Sequence, residues 1–191
     1  MLNTDKLETA LWLAAAKQGW LRMPRDATGL SEAMTAAVHH ATAAKLPDIT
    51  VWINCREGDK ESWGVVEALL NFPGTVTTIT EDYAWSAGLW VLLAGRVRLA
   101  LPRTSFIAHG ERDHWRREED DVDRTQFLAS RTQKGSAFWQ EAFLSEEFEF
   151  DTDSALQYGV IDECLPRDEL RMRLRKGLTQ NDLRLREGMI R

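Results

Sequence analysis

The chain has 191 residues, of which 43% are hydrophobic and 28% are charged, a composition typical of one soluble globular domain with a full core. Its formal net charge of −6 at pH 7 argues against nucleic acid or an anionic membrane surface as the main partner. No apolar run approaches the roughly 20 residues of a membrane-spanning helix, and residues 1–20 carry acids within their apolar segment and no basic leader. Cys55 and Cys164 lie far apart without a CxxC spacing. We therefore expect a cytoplasmic protein with two reduced, structural thiols and no metal site.

Helical and strand-like patterns alternate along the chain without repeats. Apolar periodicity predicts helices over residues 4–18, 61–71 and 124–144. A further helix ends near residue 44 and has Thr28 or Ser31 as its predicted cap, and another begins at Ser86. Apolar and β-branched runs predict strands over residues 19–23, 49–54, 75–80, 97–101 and 104–109. A helix–strand unit over 154–165 and a charged helical tail over 167–191 complete the pattern.

This alternation of strands and helices indicates an α/β fold with a mostly parallel sheet. We expect a single domain over residues 1–191, with an extra N-terminal helix within 1–18 and a charged, solvated stretch at 111–123. Ligands of such sheets bind beyond the carboxyl ends of the strands. Three loops that directly follow a predicted strand are therefore candidates for a functional site, namely 54–58, 81–86 and 109–110.

The residues of these loops suit acyl transfer. Ser86 lies at the start of a predicted helix, where free backbone N–H groups and the positive end of the helix dipole favour a developing oxyanion. Gly58 follows another strand, where the backbone can approach a substrate because no Cβ intervenes. His109 ends a third strand and could act as a general base, oriented by one of the acids in residues 146–153.

Each of these residues also has an ordinary structural explanation. A serine at a helix start is more often a cap or a small residue that permits close packing. Ala84 occupies the position of the first glycine in the GxSxG turn of serine hydrolases. His109 alone is more often a hydrogen-bonded residue at the end of a strand. The residues by themselves therefore leave both interpretations open.

The order of four segments, INCREG, VTTITEDYAWSAGLWVLLAG, ALPRTSFIAH and ALQYGVID, resembles the ClpP peptidase family, the proteolytic subunit of Clp proteases. The similarity runs from residue 49 to residue 165. It implies a ClpP/crotonase-like fold with a catalytic triad, in which Ser86 is the nucleophile and His109 the base. The amides of Gly58 and Ala87 would form the oxyanion hole.

The third member of the triad falls by position on Glu147, where the family has aspartate. Glu146 and Asp151 are alternatives, because the alignment of this loop is loose.

Three features depart from the family's pattern. Glu57 replaces the first glycine of the family's INSPGG segment, and Asp82 stands where the family has glycine. The region over 111–144 corresponds to a shortened version of the handle through which ClpP rings stack.

The resemblance implies a serine endopeptidase that needs no cofactor and cleaves unfolded polypeptides or short peptides. We expect a homo-oligomeric ring of six or seven subunits, fed by an AAA+ unfoldase. Glu57, Glu81 and Asp82 would disfavour acidic substrates. One alternative is a catalytically weak or silent ClpP-like subunit with an assembly or regulatory role, and a less favoured one is crotonase-type acyl-CoA chemistry.

Overall fold

A computed structural model describes residues 16–58, 61–109, 118–144 and 147–176. Within these ranges the strands and helices follow one another in the order β1 (Trp20–Met23), α1 (Ser31–Ala43), β2 (Asp48–Cys55), α2 (Ser62–Leu70), β3 (Thr75–Trp85), α3 (Ala87–Ala94), β4 (Val97–Ala100), β5 (Ser105–Ala108), α4 (Glu118–Arg131), α5 (Ser136–Leu144), β6 (Phe148–Phe150), α6 (Thr152–Tyr158), β7 (Glu163–Cys164) and α7 (Arg167–Lys176). Most of the predicted helix over 4–18 lies outside these ranges, as do Gly110, Glu146 and the end of the predicted tail.

The seven strands form one sheet with the order β1-β2-β3-β4-β7, and β5 pairs with β3 and with β6. Every pair is parallel except β5 with β6, so the predicted mostly parallel sheet is confirmed. The β-branched run of β2 lies between β1 and β3, with Ile49, Val51 and Ile53 at most 1% exposed. Such a run forms a strand that is covered on its faces, as parallel sheets require.

Apolar residues cover both faces of the sheet. The larger cluster includes α1, α2 and α3, and all eight residues of α3 are buried. The smaller cluster lies on the other face and consists of Trp20, Trp52, Ile79, Leu99, Leu101, Leu165 and Leu170. Leu170 belongs to α7, which is held there by an ion pair of 3.2 Å between Arg167 and Glu81.

The strand β3 is longer than the sequence predicts, because it continues from Thr80 to Trp85 instead of ending at residue 80. Its first half pairs with β4, whereas Tyr83, Ala84 and Trp85 pair with β5. A bulge against β2 separates the two halves. The polar residues that suggested a loop therefore lie in a strand whose partner changes at the bulge.

Three further predictions were wrong. The helix over 124–144 is two helices, α4 and α5, divided by a turn that ends at Gly135, and α4 begins at Glu118. The acidic loop before α6 contains the strand β6, which forms because it pairs with β5. Neither Thr28 nor Ser31 caps α1, since the Ser31 hydroxyl hydrogen-bonds the Ser62 hydroxyl at 3.0 Å and Leu30 is the N-cap residue.

Candidate active site

Ser86 occupies the single residue between β3 and α3. Its backbone has φ 49° and ψ −114°, a conformation that residues with a side chain rarely adopt. Its amide donates to the carbonyl of Ile107 at 3.0 Å, and its own carbonyl accepts from the amide of Leu89 at 3.0 Å. The hydroxyl makes no cap hydrogen bond to the helix. Ser86 is thus held on both sides by backbone bonds while its hydroxyl is not used as a cap.

The backbone at Gly58 lies directly against the first residue of α3. A Cβ built on Gly58 would be 2.5 Å from the Cβ of Ala87, closer than two carbon atoms can approach. A Cβ on Gly88 would likewise be 2.8 Å from the Cβ of Cys55. The segment from Cys55 to Gly58 therefore packs on the N-terminus of α3, and glycine is needed at both points of approach.

His109 directly follows β5 at the same edge of the sheet as Ser86. The parallel register pairs Trp85 with Ile107, and the Ser86 amide binds the Ile107 carbonyl. His109 lies two residues beyond Ile107, just past the end of β5, and adjacent strands such as β5 and β3 are about 4.8 Å apart. The imidazole is partly buried. The topology thus brings the predicted serine and histidine to neighbouring positions on adjacent strands.

The antiparallel pairing of β5 with β6 places the candidate carboxylates. Ala108 pairs with Phe148 at the end of the ladder, His109 directly follows Ala108, and Glu147 directly precedes Phe148. Opposite residues of antiparallel strands have Cα atoms about 4.5–5.5 Å apart. Asp151 instead caps α6, because its Oδ1 accepts the Ser154 amide at 2.9 Å, a bond that lowers the pKa of Asp151. Glu146 lies outside the described residues.

The three acids expected beside the site differ in their surroundings. Glu81 lies 3.2 Å from Arg167 and 3.9 Å from Arg22, so its charge is compensated within the smaller cluster's face. Asp82 is exposed and accepts a hydrogen bond of 3.2 Å from the Asn54 amide. The Glu57 side chain is also exposed, while its backbone bridges to Asp26.

Sequence reasoning missed a group of cationic and aromatic side chains next to Ser86. The Arg56 guanidinium carbon lies 3.7 Å from the centroid of the Tyr83 ring and 4.8 Å from that of the Trp85 ring. Arg25 lies 5.5 Å from the Tyr83 ring. The alternation of Tyr83 and Trp85 along β3 is the signal that places both rings on one face.

The two thiols are not candidates for the nucleophile. Cys55 is fully buried and donates to the Glu57 carbonyl at 3.1 Å, and its burial raises its pKa to about 12. Burial also raises the pKa of Cys164. A nucleophilic cysteine needs the opposite shift.

Within the described part of the chain, no group of His, Cys, Asp and Glu could hold a metal ion. None of the helices in the same ranges has the length and apolar character needed to cross a membrane.

Comparison with known proteins identifies the fold. No protein-family model and no curated protein sequence matches the chain. Among solved structures, a point mutant of ClpP1 from Listeria monocytogenes is similar, with a TM-score of 0.68 and 18% sequence identity. The match covers 83% of this chain and 98% of the ClpP1 chain. The chain described here therefore has the ClpP-like fold.

Proposed function

We propose that this chain is a serine-type peptidase of the ClpP-like kind with Ser86 as its nucleophile. The observation that carries the proposal is the backbone of Ser86, with φ 49° between a strand and a buried helix. A serine that merely caps a helix has an extended backbone and bonds an amide of the first turn with its hydroxyl. Ser86 does neither, and a non-glycine residue in this conformation costs about 1–3 kcal/mol. A strained serine at a strand-to-helix turn is the arrangement that exposes the nucleophile of serine hydrolases.

The proposed reaction begins with attack of the Ser86 Oγ on a peptide carbonyl carbon. His109 accepts the hydroxyl proton and later donates it to the leaving amine, and Glu147 holds the imidazole and stabilises its cation. The amides of Gly58 and Ala87 donate to the tetrahedral oxyanion. Collapse gives an acyl-enzyme, which water hydrolyses with His109 again acting as base.

The contact between Gly58 and Ala87 supports the assignment of the oxyanion donors. Two amides can bind one oxygen only if their backbone segments lie side by side, and the 2.5 Å approach calculated for a Gly58 Cβ shows that these segments touch. The pairing of Ala108 with Phe148, whose chain neighbours are His109 and Glu147, supports the assignment of the orienting acid. Glutamate has one more methylene than aspartate and can hold the imidazole from a neighbouring strand.

A fluorophosphonate probe tests the proposal, because it reacts with an activated serine. We expect labelling of Ser86 in the native chain, no labelling at this position in Ser86→Ala, and at least a 10³-fold slower reaction in His109→Ala. The matched control is His39→Ala, since His39 is exposed on α1 and should not affect labelling. A folded wild-type chain that resists the probe would refute the peptidase and favour the silent-subunit alternative.

A pair of acid-to-amide variants tests the third member of the triad. Glu147→Gln should slow the labelling strongly, because removal of the orienting acid lowers the rate by up to about 10⁴-fold in serine hydrolases. Asp151→Asn should leave the labelling rate unchanged, because Asp151 caps a helix. Slow labelling in Asp151→Asn with normal labelling in Glu147→Gln would exchange the two roles.

The proposed peptidase acts on polypeptides inside a homo-oligomeric ring, with an AAA+ protein as a possible unfoldase. The ClpP-like fold supports this assembly, since the similarity covers nearly the whole ClpP1 chain. Native mass spectrometry tests it, with an expected mass of six or seven times the chain mass of 21.8 kDa. A strictly monomeric chain at micromolar concentration would contradict the ring.

A further inference from the structure

A cluster of two arginines and two aromatic residues lies on the sheet beside the proposed nucleophile. We define it as Arg25, Arg56, Tyr83 and Trp85. The Tyr83 and Trp85 rings meet edge to face with centroids 5.0 Å apart. The Arg56 guanidinium carbon lies 3.7 Å from the Tyr83 centroid, within stacking distance. The Trp85 indole N–H donates to the Ser105 hydroxyl at 2.9 Å, which fixes the ring.

The stacked position of Arg56 leaves its hydrogen-bond donors available. A guanidinium that lies over a ring contacts it with its π-face, while its five N–H groups point outward in the guanidinium plane. The Arg56 Nε is buried and has no hydrogen-bond partner among the residues that the structure describes. The terminal N–H groups of Arg56 also have no hydrogen-bond partner within the described ranges, so they are the donors that a ligand acceptor could use.

The carboxylates around the cluster are held by other groups. Glu81 pairs with Arg167 at 3.2 Å, and Glu149 accepts from the Ser105 hydroxyl at 2.7 Å. Asp82 accepts from the Asn54 amide. Within the described ranges, no carboxylate forms an ion pair with Arg25 or Arg56. Asp26 and Glu57, which adjoin the two arginines in the chain, are exposed and form no ion pair with them, so both guanidinium groups can pair with a carboxylate of a ligand.

The cluster lies within reach of an extended substrate. Trp85 directly precedes Ser86, and Arg56 precedes Gly58 by two residues. A guanidinium 4.8 Å from the Trp85 ring lies within about 10–12 Å of the Ser86 Cα, which is the span of about three extended residues.

We propose that the cluster of Arg25, Arg56, Tyr83 and Trp85 binds a carboxylate of the substrate two or three residues from the bond that is cleaved. This rests on the proposed peptidase function, and it makes Arg56 the residue that selects acidic substrates. The carboxylate could belong to an Asp or Glu side chain or to the C-terminus of the peptide, because the guanidinium recognises either one through paired N–H donors. This preference is the opposite of the one expected from the acids near the site, Glu57, Glu81 and Asp82, which by themselves would disfavour acidic substrates.

Peptide binding to the Ser86→Ala chain tests the proposal without turnover. Fluorescence anisotropy would compare two series of peptides. In the first, one position within four residues of the centre is either Glu or Gln, and in the second the C-terminus is either a free acid or an amide. We expect one acidic peptide to bind about 10–100-fold more tightly than the matching neutral peptide, the range for hydrogen bonds to a charged group. A preference confined to the C-terminal pair identifies the chain end as the source, whereas one at an internal Glu identifies a side chain.

Substitutions of Arg56 link the preference to the cluster. Adding Arg56→Gln to Ser86→Ala should reduce the affinity for the acidic peptide to the affinity for the matching neutral peptide. The affinity for the neutral peptide should stay the same, which would show that the rest of the peptide-binding site is intact. Arg56→Lys, which keeps the charge but not the planar fork, should keep only a few-fold preference. Arg96→Gln is the matched control, because Arg96 is exposed at the opposite end of the sheet.

Equal affinities for every acid and amide pair, or a preference that survives Arg56→Gln, would overturn the carboxylate site. Labelling of Ser86 by the fluorophosphonate together with such equal affinities would refute the carboxylate site alone. A Glu preference that depends on Arg56 in a chain that resists the probe would refute the peptidase alone.

Discussion

The substitution Gly58→Ala tests the proposed oxyanion hole by a defined steric change. The new Cβ would lie 2.5 Å from the Cβ of Ala87 and 3.4 Å from the Ser62 Oγ. The optimal separation of two carbon atoms is about 3.5–4.0 Å, so one backbone segment must move by about 1–1.5 Å. Because every residue of α3 is buried, we expect the segment that carries Gly58 to move.

The expected loss of activity follows from this displacement. An oxyanion donor that moves by about 1 Å no longer binds the developing charge, and loss of one donor costs about 10²–10³ in rate. The extra methyl group should also lower the free energy of unfolding by about 1–3 kcal/mol, the usual cost of overpacking. The φ of Gly58 is not in the left-handed region, so backbone strain does not add to this cost.

The assay is the second-order rate of fluorophosphonate labelling, measured beside urea unfolding. Gly135→Ala is the matched control, because a Cβ there meets no atom within 4 Å, and it should change neither quantity appreciably. Gly58→Ala should label at least 10²-fold more slowly at a urea concentration where both variants remain folded. A variant that is destabilised as expected yet labels at the wild-type rate would refute the role of Gly58 as a donor.

Three further changes have expected outcomes. Gly64→Ala in α2 should raise the free energy of unfolding by about 0.5–1 kcal/mol in urea, because Thr35 Oγ1 lies 3.5 Å from the new Cβ and alanine favours the helix. Arg131→Met should lower the free energy of unfolding by about 1–3 kcal/mol, because two carbonyls at the end of α3 lose their hydrogen-bond donors. Arg96→Met is the control and should leave the free energy of unfolding unchanged. The buried Cys55 thiol stays neutral up to pH about 12, whereas the unfolded thiol ionises near pH 9.0, so the wild type should lose stability as the pH rises above 9. The free energy of unfolding should fall by up to about 1.4 kcal/mol per pH unit through this thiol, and Cys55→Ala should lack this contribution. Parallel plots of unfolding free energy against pH for the two chains would contradict the prediction.

The parts of the fold that local pattern determines were predictable. The strand β2 is a run of β-branched and apolar residues whose burial needs no particular partner, and β1 and β4 were identified in the same way. The second half of β3 was not, because Tyr83, Ala84 and Trp85 are part of the strand through their pairing with β5. The three residues of β6 likewise become a strand through tertiary contact.

The candidate site shows the same division between residue type and geometry. The order of motifs identified Ser86, Gly58 and His109 as candidates, and the topology brings their strand ends to one edge. The positive φ of Ser86 has no signal in the sequence, since serine ordinarily avoids it. The stacking of Arg56 on Tyr83 depends on a register between β2 and β3 that is interrupted by a bulge.

The smaller apolar cluster has a consequence for biosynthesis. Trp20 from β1 and Leu170 from α7 pack in the same cluster although about 150 residues separate them in the chain. A nascent chain emerges N-terminus first, so the sheet face that carries Trp20 and Trp52 stays uncovered until the segment that forms α7 has been made. Until α7 packs, this apolar face is open to aggregation, and a chain without α7 would leave the face uncovered after synthesis.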